Sequence, residues 1–234
     1  MPGRITVINP NSSVQVTAGI DAALAPLRFA DGPDFDCLTL AEGPPGIESQ
    51  RHVDQVAGPL CDLIVREDAQ SDAFVIACFS DPGLAQARER SARPVFGISE
   101  SGILAALALG ERFGIIAILP TSIPRHRRYV RQLGLLDRLA GDRAIGVGVT
   151  GLAGDNDVLE RMVAVGRRLI DEDGADVLVL GCAGMADRRA ALEDRLGCPV
   201  IDPCQAAAAQ ALAAVRLGWT GAVAAQAGQQ GEGR

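Results

Sequence analysis

The sequence contains one long unit twice. Residues 73–98, AFVIACFSDPGLAQARERSARPVFGI, and residues 176–203, DVLVLGCAGMADRRAALEDRLGCPVIDP, each open with an apolar run that ends at a cysteine. In each copy a short loop and a helix-like stretch follow, and a Pro-Val pair then opens another apolar run. The cysteine and that proline stand 16 residues apart in the first copy (Cys78, Pro94) and 17 in the second (Cys182, Pro199). Such a repeat predicts two similar structural units.

A weaker repeat lies upstream of each copy. ITVINPNS at residues 5–12 and IIAILPTS at residues 115–122 both run from an apolar strand pattern into a proline and small polar residues. The order of strand-Pro-Ser and then strand-Cys therefore occurs twice. Two such halves favour a pseudo-twofold arrangement of two small sheets that face each other across a cleft.

Short β-branched runs alternate with longer helix-like stretches, which is the pattern of an α/β fold with mostly parallel strands flanked by helices. The predicted strands are Ile5–Ile8, Phe35–Leu40, Ala73–Ala77, Val95–Ile98, Gly114–Leu119, Ala144–Val149, Val177–Leu180 and Val200–Ile201. The predicted helices cover residues 13–25, 48–69, 83–91, 100–110, 124–139, 155–173, 187–196 and 204–216.

The two repeated cysteines suggest a chemistry. Ligands of open parallel sheets bind beyond the carboxyl ends of the strands, where Cys78 and Cys182 both lie. A pseudo-twofold axis would place the two thiols on opposite sides of one ligand. One thiolate could then remove a proton from a stereogenic carbon while the opposite thiol returns one, which is racemisation without a metal. The alternative is that both cysteines are ordinary buried thiols.

Composition narrows the classes of partner. The formal net charge is −7, which argues against nucleic acid. The basic run Arg125–Arg128 with Arg131 is interpreted as one solvated helix face. We expect a cytoplasmic protein with no membrane contact, because no export signal or spanning apolar run is recognised. Its six cysteines should then stay reduced, and with two histidines and no C-x-x-C pair we expect no metal.

Two motifs imitate other sites. GVGVTG at residues 146–151 has the spacing of a dinucleotide loop, but its valines are expected to continue a strand. GISES at residues 97–101 resembles a nucleophile elbow without its last glycine, and Ser99 or Ser101 is predicted to cap the helix there. His52 is expected to be exposed. The remaining cysteines are predicted to pack in the interior, with Cys204 partly activated near a helix start: Cys37, Cys61, Cys198 and Cys204.

The sequence resembles the aspartate/glutamate/hydantoin racemase superfamily from Ile5 to about Leu212, and its hydantoin and allantoin racemase branch in particular. The motifs that carry the resemblance are INPNSS (8–13), GPPGIES (43–49), IACFSDPGL (76–84), VFGISES (95–101) and VLGCAGMADRR (179–189). The resemblance implies two pseudo-twofold α/β lobes, with the active site in the cleft between them. Lobe 1 would cover residues 1–97 and the C-terminal helix 204–217, and lobe 2 residues 98–203; residues 218–234 are predicted to form a flexible tail.

The resemblance also implies a mechanism and a set of site residues. Paired cysteines would exchange protons without a cofactor, and they fall on Cys78 and Cys182. Ile47 would close over the substrate. The residues that would hold a small-molecule substrate fall on Asn11, Ser12, Phe79, Ser80, Thr121, Ser122, Ala183 and Gly184. A homo-oligomer is implied as well.

Departures from the amino-acid racemases of the superfamily bear on the substrate. Those enzymes carry an acidic residue in the first loop and a histidine after the second cysteine, whereas this chain has Asn11 and Ala183-Gly184. A hydantoin-like ring, allantoin included, needs less assistance because its carbanion delocalises into carbonyl groups. Ser80 and Ser99 stand where glycine and alanine are expected, so the preferred C5 substituent stays open. The alternatives are an amino-acid racemase, a decarboxylase or a cis-trans isomerase on the same scaffold, and a non-catalytic two-lobe sensor.

Overall fold

The computed structural model describes residues 3–152 and 157–221. Its strands are β1 (Arg4–Asn9), β2 (Asp34–Thr39), β3 (Ala73–Ile76), β4 (Val95–Gly97), β5 (Phe113–Ala117), β6 (Leu139–Ala144), β7 (Val177–Leu180) and β8 (Val200–Ile201). Its α-helices are α1 (Val14–Ala23), α2 (Gln50–Glu67), α3 (Leu84–Arg90), α4 (Ile98–Leu107), α5 (Ile123–Gln132), α6 (Val158–Asp171), α7 (Arg189–Leu196) and α8 (Pro203–Leu217).

The strands form two four-stranded parallel sheets with the same topology. The first has the order β2-β1-β3-β4 and the second the order β6-β5-β7-β8. Each strand of one sheet therefore has a counterpart in the other, and the repeat units coincide with β3-α3-β4 and β7-α7-β8. The predicted two-lobed α/β fold is confirmed.

In each sheet the strand order reverses direction at the central pair of strands. β1 pairs with β2 on one side and β3 on the other, and β5 does the same with β6 and β7. Such a switch point opens a crevice at the carboxyl ends of the strands, because the flanking connections diverge there. Cys78 follows β3 and Cys182 follows β7, so each thiol lies at the crevice of its own sheet.

One strand and one helix end were predicted wrongly. A strand was expected at Ala144–Val149, but the strand in this part of the chain, β6 (Leu139–Ala144), ends where the predicted one begins. Gly146 follows it in a left-handed conformation with φ of 76°. The helix expected over residues 124–139 ends at Gln132, and Gly134, with φ of 73°, turns the chain toward β6. Because β6 is a half-exposed edge strand, LAGDRA carries no apolar run, and the apolar residues that follow pack in the loop beyond it.

The two sheets share a core into which α8 packs. Val75 of the first sheet and Val179 of the second belong to one cluster of buried side chains, together with alanines of α8 such as Ala207 and Ala211. Alanine on the buried face of a helix lets its backbone approach the neighbouring elements closely. α8 contacts β1, β3 and β4 of the first sheet, and also α4.

The ends of α8 are defined by local chemistry. The Asp202 carboxylate accepts a hydrogen bond of 2.8 Å from the Cys204 N–H, and Gly218 stops the helix with φ of 68°. The predicted lobe boundary at residues 97 and 98, where β4 meets α4, stays a prediction. Of the tail predicted at residues 218–234, the part beyond Gly221 lies outside the described residues. Residues 155 and 156, at the start of the helix predicted at residues 155–173, lie outside them as well. Among the described helices, none has the length and apolar character needed to cross a bilayer.

Candidate active site

The two repeated cysteines are held by equivalent backbone. The Ala77 N–H, before Cys78, donates to the Ile8 carbonyl of β1 at 2.8 Å, and the Gly181 N–H, before Cys182, donates to the Ile116 carbonyl of β5 at 2.9 Å. A Cβ on Gly181 would lie 2.7 Å from the Ile116 oxygen, so the close approach of β7 to β5 requires glycine there. Each cysteine is thus fixed where its strand ends.

Cys78 and Cys182 line the same cavity, which we call the thiol cavity. The cavity measures about 30 Å³, which admits water but not a five-membered ring, so a substrate must widen it on entry. Both thiols are half-buried. Six of the residues predicted to hold substrate also line this cavity: Asn11, Ile47, Phe79, Ser80, Ser122 and Ala183.

Three predicted substrate contacts do not line the cavity between the thiols. The Ser12 N–H donates to the Pro44 carbonyl at 3.0 Å. Thr121 is exposed, and its Oγ1 donates to the Glu48 carbonyl at 3.3 Å. Gly184 lines a neighbouring cavity instead. Ser12 and Thr121 belong to the loops around the cavity, whereas Gly184 reaches the Cys182 thiol through its backbone N–H.

Burial sets the acidity of the two thiols. It raises the pKa of Cys78 to about 12 and the pKa of Cys182 to about 11, since a thiolate loses its hydration in the interior. Backbone N–H groups two residues further on lower the pKa in both cases, Ser80 for Cys78 and Gly184 for Cys182. The positive charge of Arg125 also lowers the pKa of Cys78.

Arg125 and His126 line the cavity, although their run was predicted to be a solvated helix face. Arg127, Arg128 and Arg131 are exposed, but His126 is buried. Positions 122, 126 and 130 are buried at the spacing of one helix face, and this spacing was the available signal.

His126 is fixed from two sides. Its Nδ1 lies 3.0 Å from Asp142 Oδ2 of β6, and both side chains are almost completely buried. Its ring meets the Phe79 ring edge to face, with 5.1 Å between the centroids. His126 therefore holds the aromatic wall of the cavity next to Cys78.

Two motif interpretations need correction. Gly146 lies in a turn after β6, so the prediction that the valines of GVGVTG continue a strand is wrong. The turn leaves no room for a dinucleotide beside Gly148, because a Cβ on this residue would already lie 2.6 Å from Glu48 Oε1. Neither Ser99 nor Ser101 caps α4. Asp81 does, since its carboxylate accepts from the N–H groups of residues 99 and 100 at 2.9 and 2.8 Å.

The other histidine and cysteines lie elsewhere. His52 is half-buried rather than exposed, and its Nδ1 accepts from the Glu48 N–H at 3.3 Å. The predicted activation of Cys204 is wrong, because complete burial raises its pKa. Burial also raises the pKa of Cys37, to about 12. Within residues 3–152 and 157–221, no group of three or more His, Cys, Asp or Glu side chains is arranged to hold a metal.

Comparison with known proteins places this site in a family. Residues 5–211 match the family described as Asp/Glu/Hydantoin racemase. The chain is 37% identical over 219 residues to a hydantoin racemase of Paenarthrobacter aurescens, covering 92% of each protein. The structure of an allantoin racemase from Klebsiella pneumoniae superposes with a TM-score of 0.90 at 33% identity, covering 94% of this chain and 90% of that one.

A more distant neighbour shares the fold. The maleate isomerase Iso from Pseudomonas putida S16 superposes with a TM-score of 0.72 at 17% identity, over 92% of this chain and 94% of that one. At this identity the likeness concerns the fold alone. The closer matches identify the protein as an isomerase of the racemase type. The chain belongs to the Asp/Glu/hydantoin racemase family.

Proposed function

We propose that this protein racemises 5-substituted hydantoins or allantoin without a cofactor, by proton transfer between Cys78, the substrate and Cys182. The observation that carries the proposal is that both thiols, from equivalent positions of two like sheets, line one cavity. The hydantoin and allantoin racemases among its relatives support the choice of substrate.

The proton exchange balances without any other reactant. A thiolate on one side takes the proton from C5, and the electron pair of the C–H bond moves into the adjacent carbonyl to give an enolate. The thiol on the opposite side then gives its proton to C5 as the carbonyl re-forms. The product has the inverted configuration, and thiol and thiolate have exchanged places.

The surroundings of the thiols suit this chemistry. The raised pKa of each thiol makes its thiolate a stronger base, so the difference in pKa between the thiol and the weakly acidic C5–H group of the substrate is smaller. The N–H groups of Ser80 and Gly184 and the charge of Arg125 are placed to stabilise negative charge.

The lining of the cavity favours a neutral ring over a free amino acid. Its polar groups near the thiols include the Asn11 amide and the hydroxyls of Ser80 and Ser122. Asn11 is held in place because its Oδ1 accepts from Asn9 Nδ2 and from the Ser13 N–H, at 3.0 and 2.9 Å. An amide and hydroxyls can bond to ring N–H and C=O groups. Among the described residues that line the cavity, none carries a carboxylate that could pair with an ammonium group.

The test is racemisation in heavy water. Each pure enantiomer of allantoin and of several 5-alkyl hydantoins is incubated with the protein, and optical rotation and deuterium at C5 are followed together. We expect deuterium to enter as rotation decays, because the returned proton comes from a thiol that has exchanged with solvent. Decay of rotation with full retention of the C–H bond in both enantiomers contradicts the proposal, as does release of carbon dioxide.

The predicted assembly and location stay predictions. The homo-oligomer rests on the resemblance to the family, and sedimentation velocity of the purified protein tests it. The cytoplasmic location rests on composition and is tested by fractionating the cells that make the protein.

A further inference from the structure

A second cavity adjoins the one between the thiols. It measures about 260 Å³, room for several non-hydrogen atoms, and we call it the side cavity. It shares four lining residues with the thiol cavity: Phe79, Ser80, Arg125 and His126. Because these residues touch both cavities, the side cavity lies beside a ring held between the thiols.

The side cavity is lined by positive charge without matching negative charge. Arg125 and Arg128 both line it, together with the amides of Gln50 and Gln132, and none of its lining residues is acidic. Neither arginine forms an ion pair within the described parts of the chain. The Arg128 guanidinium donates to Gln50 Oε1, a neutral acceptor, at 2.8 Å.

The acidic residues nearby are already engaged. Asp81 accepts from two N–H groups at the start of α4. Glu100 pairs with Arg88 at 2.6 Å. The Asp142 side chain is fully buried, and its Oδ2 lies 3.0 Å from His126 Nδ1. None of them forms an ion pair with Arg125 or Arg128 among the described residues, and neither does Glu48, whose Oε1 accepts from the Val149 N–H.

Arg125 has unused bonding capacity toward an anion. Its guanidinium donates to the carbonyls of Thr121 and Glu48 at 2.8 and 3.2 Å and to Ser122 Oγ at 3.3 Å, which are all neutral acceptors. Its Nε is buried and has no partner. A half-buried cation without a counterion is unfavourable, so the site gains free energy when a carboxylate comes close.

A cavity on the other side of the thiols is different. It lies beside Cys182, between α1 and the turn after β7, and it is lined by Arg188 and Asp187. Arg188 pairs with Asp187 at 2.7 Å and also donates to the Leu152 carbonyl. The charge of its arginine is thus already balanced, and the excess positive charge is confined to the Cys78 side.

We propose that the side cavity binds the C5 substituent of the substrate and selects substituents that end in a carboxylate, so that the preferred substrates are carboxyalkyl hydantoins. This inference rests on the proposed function. Ser80 and Ser99, the two serines that left the substituent open, both line the side cavity and add hydroxyl donors to it. Arg125 and Arg128 supply the charge.

The experiment compares two substrates of similar shape. 5-(2-Carboxyethyl)hydantoin and 5-(2-carbamoylethyl)hydantoin have nearly the same shape, but the first ends in a carboxylate and the second in a neutral amide, and kcat/KM is measured for both. We expect the wild-type protein to favour the carboxylate by roughly tenfold, the order of a charge-assisted hydrogen bond. We expect the ratio to fall about threefold or more in Arg128→Gln, and to fall in 0.5 M salt, which screens the charges.

Arg127→Gln is the matched control. Arg127 is exposed on the same helix and lines neither cavity, so its removal changes the net charge equally and should leave the ratio unchanged. A wild-type ratio near one, or an equal fall in both variants, overturns the inference. If the amide substrate is racemised in such a case, the proposed function stands; if neither hydantoin nor allantoin is racemised, the proposed function fails as well.

A dead-end ligand gives a readout that does not depend on turnover. 5-Methyl-5-(2-carboxyethyl)hydantoin has no hydrogen at C5, and its Kd is measured by calorimetry against its carbamoyl analogue. Tighter binding of the carboxylate that weakens in Arg128→Gln supports the inference. Equal affinity of the two ligands for the wild-type protein contradicts it.

Discussion

Glu48 Oε1 accepts a hydrogen bond of 2.7 Å from the backbone N–H of Val149. Glu48 precedes α2 on the side of the first sheet, whereas Val149 follows β6 of the second. The Glu48 carbonyl accepts two more bonds from the second half of the chain, from Thr121 Oγ1 and from the Arg125 guanidinium. These contacts tie the loop that carries Ile47, a residue of the thiol cavity, to the opposite lobe.

We expect Glu48→Gln to raise KM about fivefold. A neutral amide oxygen accepts a weaker hydrogen bond than a carboxylate, by about 1 kcal/mol, and the loop would stay open for a larger share of the time. Steady-state kinetics with each enantiomer measures the change. Glu42→Gln is the control, because Glu42 is exposed in the same loop. An equal change in both variants would show that the bond to Val149 is not responsible.

Replacing either thiol should separate the two proton transfers. We expect Cys78→Ser and Cys182→Ser each to lower racemisation by about 10²–10⁴-fold, since a hydroxyl is a far weaker acid than a thiol. Each variant should still exchange the C5 hydrogen of one enantiomer with heavy water, and the two variants should prefer opposite enantiomers. NMR of each pure enantiomer measures this.

The control for the thiol variants is Cys198→Ser. Cys198 is half-buried and lies outside the thiol cavity, so its loss should leave racemisation intact. Equal exchange of both enantiomers by a single-cysteine variant would mean that one thiol serves both faces, which contradicts the two-base mechanism.

The rate should depend steeply on pH. Burial raises the pKa of Cys182 to about 11, so roughly one molecule in ten thousand carries this thiolate at pH 7 in the free protein. Because the reaction needs the thiolate, kcat/KM should rise about tenfold per pH unit between pH 7 and 9. The uncatalysed rate in each buffer is subtracted. A plateau that begins below pH 8 would mean that the active thiol has a pKa far below the value that its burial implies, which contradicts this prediction.

The sequence located the two thiols because their surroundings repeat. A buried central strand needs a continuous apolar run, and FVIA before Cys78 and VLVL before Cys182 provide it. The strand β6 was misplaced because an edge strand can be half-exposed and polar, as LAGDRA is. Its pairing partner, β5, decides that it is a strand, and pairing across the chain is invisible in a local pattern.

The roles of Arg125 and His126 could not be predicted from the sequence either. Four consecutive basic residues fit a solvated helix face, and which of them turn inward depends on where α5 packs. Asp142 of β6 fixes His126, and because no strand was predicted at this position, Asp142 could not be identified as the partner of His126. The separation of 16 residues between them carries no local signal.

Asp81 gives a prediction about stability. Its carboxylate accepts from the Ser99 N–H at the start of α4, and burial raises its pKa to about 7 from an ordinary 3.8. Between these two values the folded protein keeps the proton that the unfolded chain has lost, so unfolding releases a proton. The free energy of unfolding contributed by Asp81 therefore falls as pH rises from about 4 to 7, and is constant above that.

Comparison with Asp81→Asn isolates this contribution, because an amide does not titrate. Near pH 5 we expect the variant to unfold more easily, since the asparagine can accept one of the two N–H groups that the carboxylate holds. The stability advantage of the wild-type protein should shrink between pH 5 and 7, by up to about 1.4 kcal/mol per pH unit. Denaturant unfolding across this range measures it, with Asp137→Asn as an exposed control. An advantage that grows with pH would mean that the two N–H groups outweigh burial and hold Asp81 ionised.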